Sequence, residues 1–65
     1  MAKKETADKR IERLYYANCA GIQIDIMDIG KVFAEGRKWI SANPGIGDVG
    51  LAAALIAFVH TIRKN

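Results

Sequence analysis

Charged side chains vanish from the chain between Asp48 and Arg63. From Val49 to Ile62 the sequence reads V-G-L-A-A-A-L-I-A-F-V-H-T-I, with no Asp, Glu, Lys, Arg, Asn or Gln. At about 100° per residue, Leu51, Leu55, Phe58, Val59 and Ile62 form one broad apolar face of a helix, which Ile56, Ala52 and Val49 widen. Gly50, Ala54, Ala57 and Thr61 make a seam of small side chains along much of the remainder. A helix with no charged side is normally buried nearly all round, so this segment predicts an enclosed C-terminal helix.

Two further helices are predicted upstream. Ile26, Ile29, Phe33, Gly36 and Ile40 recur at spacings of three and four, with Val32 and Trp39 on the flank and Lys31, Glu35 and Lys38 on the wet side. Asp25 is the expected cap, and Asp28 takes the acidic place of a capping box. The alternation in Ile22–Gln23–Ile24–Asp25–Ile26 also fits a short strand, but the longer helical pattern beyond it favours the linker reading. Gly30 and Gly36 are expected to admit close approach of another backbone, and Asn43-Pro44-Gly45 to stop the helix. Before it, Thr6 to about Ala20 reads as a helix with a stripe of Ala7, Ile11, Leu14, Asn18 and Gly21, flanked by Tyr15 and Cys19. Its opposite side carries Lys9, Glu12, Arg13 and Tyr16. Gly21 is placed to end it at positive φ. Asp48 is the expected cap of the third helix, with Arg63 and Lys64 against its negative end.

The predicted architecture is therefore all-α: one domain over residues 1–65, a helical hairpin plus a buried C-terminal helix, with residues 1–5 a frayed basic start. Ile26, Ile29, Phe33 and Ile40 would pack on the larger face of the third helix, closed by Ile11, Leu14 and Tyr15. A chain of 65 residues, 51% hydrophobic and 26% charged, is near the lower limit for a self-sufficient core. The single Cys19 excludes an internal disulfide, and no Cys/His spacing suits a structural zinc. Oligomerisation is the aid left, and an obligate homodimer is expected, joined through Gly50, Ala54, Ala57, Phe58 and Thr61. The basic start runs into Glu5 and Asp8 rather than into an apolar stretch, and the apolar run is too short to span a membrane, so a cytoplasmic protein with no membrane contact is expected.

Candidate chemistry adds little. Gly45-Ile46-Gly47-Asp48-Val49-Gly50 matches the dinucleotide fingerprint G-x-G-x-x-G, but a helix precedes it and the Asp48 carboxylate would face the phosphates. It reads as a flexible loop and a close-packed helix start. Cys19 reads as a small buried hydrophobe and His60 as a buried or interface histidine. Asp25 and Asp28 could hold a metal or share a proton, yet helix capping explains both. Neither an enzyme nor any cofactor or metal is expected.

Two binding functions remain. The first is a non-enzymatic homodimer that binds another protein and modulates or inhibits it, as an accessory or mobile-element-type regulator, through Lys9, Arg13, Tyr16 and Trp39. The alternative is a small dimeric DNA-binding transcriptional regulator. It would use the basic first helix, with Lys3, Lys4, Lys9, Arg10 and Arg13, or a ribbon over residues 22–26 in which Gln23 and Asp25 enter the major groove. A helix-turn-helix is disfavoured, because a third helix beginning Asp48-Val49-Gly50-Leu51 has nothing to donate to base edges.

Overall fold

The computed structural model of the protein describes residues 4–64. Three helices follow one another, α1 (Ala7–Cys19), α2 (Ile26–Ala42) and α3 (Asp48–Ile62), and there is no strand among the described residues. The strand and ribbon readings of residues 22–26 therefore do not hold. Residues 23–25 are linker and Ile26 already belongs to α2.

Ion pairs and packing fix the topology. Asp8 receives a bond from Arg37 and Ile11 packs at Gly36, so α1 starts beside the end of α2. Arg10 reaches Asp48, and the Lys64 amide donates to the Gln23 carbonyl at 2.8 Å, so α1 and α3 run the same way with α2 antiparallel to both. The core between them is Ile11, Leu14, Tyr15 and Cys19 of α1, Val32 of α2, and Leu51, Leu55 and Val59 of α3. Ile22, Ile24, Phe33, Ile40, Phe58 and Ile62 close it as half-buried neighbours.

Each helix start has its own solution. Thr6 caps α1 as expected, its hydroxyl accepting from the Lys9 amide at 3.2 Å. Asp25 precedes α2 but caps only through its backbone, with the Asp28 amide donating to its carbonyl, while its carboxylate pairs with Lys64. Gly47, not Asp48, is the cap residue of α3, and the Asp48 carboxylate turns away to two arginines of α1. The expected end of α1 is also revised. Ala20 closes it in right-handed helical geometry and Gly21 has no positive φ; the Ile22 amide closes the turn on the Cys19 carbonyl.

The glycines of α2 differ. A Cβ on Gly36 would lie 2.7 Å from Ile11 Cγ1, so this position admits a buried side chain of α1 rather than a backbone. Gly30 has open space around it and admits nothing. The buried stripe of α2 is centred on Val32 and Gly36. Ile26 lies roughly 100° away from that direction, which is why it is 83% exposed instead of packed on α3. Val49 departs from its expected face for the same reason. The inner face of α3 is Leu51–Leu55–Val59, about 120° from Val49, and Val49 is 86% exposed.

The basic start expected at residues 1–5 lies outside the described residues for 1–3. Within it Glu5 is engaged, holding Arg13 through two bonds of 2.8 Å. Among the described residues no helix is long and apolar enough to cross a membrane.

Candidate partner interface

Four residues were expected to meet a partner, and the structure gives each a different set of neighbours. Lys9 pairs with Glu12 at 3.4 Å, in place of the i, i+4 pair with Glu5 that its position suggests. Arg13 forks between Glu5 and Asp48, at 2.8 and 3.0 Å. Tyr16 is 56% exposed and stands edge-on to the Tyr15 ring, centroids 5.1 Å apart. Trp39 is 38% exposed, with its indole N–H donating to Glu35 at 2.8 Å. It lines a shallow apolar cleft with Ala42, Pro44, Ile46 and Gly50, at the turn between α2 and α3. Lys9, Arg13 and Tyr16 share the outer side of α1, whereas Trp39 stands near the end of α2, beside the α2–α3 turn.

The densest electrostatic feature was not foreseen. Arg10 donates from Nε to Asp48 Oδ1 at 2.8 Å and from Nη2 to the Ile46 carbonyl at 2.6 Å, and Arg13 joins the same carboxylate. Two arginines, two carboxylates and one backbone carbonyl thus tie the start of α1 to the start of α3. The Arg13 side chain holds the Glu5 carboxyl below its ordinary range, and Arg10, then Arg13, do the same for Asp48. Arg13 is in turn held more firmly protonated by hydrogen bonds to Glu5 and Asp48. Sequence distance hid this cluster, because Arg10 and Asp48 meet only once three helices have packed.

Every carboxylate side chain of the protein has a cation within 4 Å. Besides the cluster and Lys9–Glu12 these are Arg37–Asp8, Lys31–Asp28, Lys38–Glu35 and Lys64–Asp25. Of the basic residues expected to meet phosphates, Lys9, Arg10 and Arg13 are paired with neighbouring carboxylates, which weakens the field that α1 presents, and Lys3 lies outside the described residues. Asp25 and Asp28 point to separate lysines and do not act as a carboxylate pair.

Cys19 is buried, as its position on the helix suggests, and burial pushes its thiol up, away from the reactive thiolate. His60 is not buried in the protomer; it is exposed on the last turn of α3. The G-x-G-x-x-G stretch forms the turn before α3 and its first residues, with the Asp48 carboxylate occupied by arginines.

The flank of α3 that faces away from the core carries no Asp, Glu, Lys or Arg between Val49 and Ile62. Val49, Gly50, Ala53, Ala57, His60 and Thr61 are exposed along it, and the Thr61 hydroxyl is turned back onto the Ala57 carbonyl at 3.0 Å. Of the seam expected to join two copies, Gly50, Ala57 and Thr61 are exposed, while Ala54 and Phe58 are half-buried. Beside it, Leu14 and Asn18 of α1 and Asp48, Val49, Ala52, Ala53 and Ile56 of α3 line a largely apolar groove with a carboxylate at one end. The groove was invisible in the sequence, since its walls come from two helices separated along the chain by the whole of α2. A second exposed apolar pair, Ile26 and Met27 (84% exposed), opens α2.

Comparison with known protein families, with curated proteins and with solved structures finds no match.

Proposed function

We propose that the protein is a non-enzymatic helical homodimer that binds another protein and modulates or inhibits it. The observation that carries this reading is the outer flank of α3. Val49, Gly50, Ala53, Ala57 and Thr61 form an uncharged exposed surface on a helix whose opposite side is fully buried. Single exposed apolar residues are ordinary, whereas a whole uncharged helix flank is typical of a contact surface. A second copy covers it most simply, and Tyr16 and Trp39 remain as aromatic anchors for a different protein.

The side chains with chemical potential support a binding role. Cys19 is enclosed with its thiol pushed up, and the carboxylates are spent on ion pairs. Engagement of Arg10 and Arg13 by Glu5 and Asp48 favours a protein partner over duplex DNA.

Affinity capture with the folded chain, compared with a Tyr16→Ala/Trp39→Ala double variant, tests this reading. A stoichiometric protein recovered by the first and lost by the second is the expected result. Recovery of the chain alone, or retention on random duplex DNA that falls steeply with salt, would overturn it in favour of a purely self-associating or a DNA-binding protein.

A further inference from the structure

We draw no further inference here: the strongest candidate, the apolar surface patch of Ile26 and Met27 at the first turn of α2, lies beside Asp25, whose charge Lys64 already balances, and nothing in the structure shows what covers it.

Discussion

α1 and α3 are parallel neighbours with equal claims on the core, and their outer sides could hardly differ more. Each buries a continuous inner stripe, Ile11–Leu14–Tyr15 in one and Leu51–Leu55–Val59 in the other. The outer side of α1 is covered by ions that are paired with each other and with Glu5 and Asp48. The outer side of α3 has methyl groups, glycine and a hydroxyl turned inward. An amphipathic helix finishes its folding when its inner stripe is covered. α3 leaves that point with an outer flank free of charged side chains, so the two teach that a buried inner stripe does not dictate the polarity of the side that faces water.

The strongest way to break this comparison is to attack the inner stripe of α3. Leu55→Ala removes buried methylenes from a fully enclosed site and is expected to cost about 2–5 kcal/mol, enough to unfold much of a chain this small. Urea titration followed by circular dichroism measures it. A substitution on the outer flank of the same helix, Ala57→Ser, is expected to shift the midpoint by less than about 0.5 kcal/mol. Equal losses at the two positions would mean that α3 is enclosed on both sides within one copy.

Gly36 and Gly30 provide the next largest contrast, now within α2. Gly36→Ala forces a methyl group into Ile11, which is fully buried and has nowhere to go, and should destabilise by about 1–3 kcal/mol despite the gain in helix propensity. Gly30→Ala meets open space and should stabilise by about 0.5–1 kcal/mol. Thermal midpoints moving in opposite directions are the expected result. Loss of the α1 cap in Thr6→Ala should cost roughly 1 kcal/mol, whereas Asp25→Ala, which removes no side-chain cap, should cost less.

The smallest effect sharpens the electrostatic side. Glu5 and Asp48 titrate below their ordinary range in the folded protein, through Arg13 for the first and through Arg10, then Arg13, for the second. Groups whose folded values are depressed add stability above their unfolded values, and that contribution fades as pH falls through the folded ones. Stability should therefore decline below about pH 5, and Arg13→Gln should flatten that decline. An unchanged pH profile in the variant would show that the cluster is too well screened to matter.

Much of the fold was legible before any coordinates. Three helices, their approximate limits, the Thr6 cap and the buried Cys19 follow from periodicity and local chemistry, which short-range pattern encodes well. Rotation about each helix axis was read less well. Ile26 and Val49 both fit an apolar stripe, but the true stripes are narrower and centred elsewhere, because only neighbours in space decide which of several apolar residues turns inward. Polar partners were the least legible. Asp48 suits a cap and Arg13 suits a binding face, and nothing in either neighbourhood reveals that they would find each other across the bundle. Of the expected interface residues, Tyr16, Ala57 and Gly50 are exposed as their spacing suggests, while the groove beside them needed two helices to exist.

The notch at Gly36 and the grip of Arg10 on Ile46 act on α1 from its two neighbours at nearly the same height. Together they set its register: moving α1 along its axis by one turn would lift Ile11 out of the notch and pull the guanidinium from its carbonyl at once. Farther along, α1 is held by its buried Leu14, Tyr15 and Cys19 and, just past its end, by the Lys64 amide on the Gln23 carbonyl. α1 is thus keyed in register at its first turns and clamped by buried side chains at its last ones, so it can shift along neither neighbour without losing both.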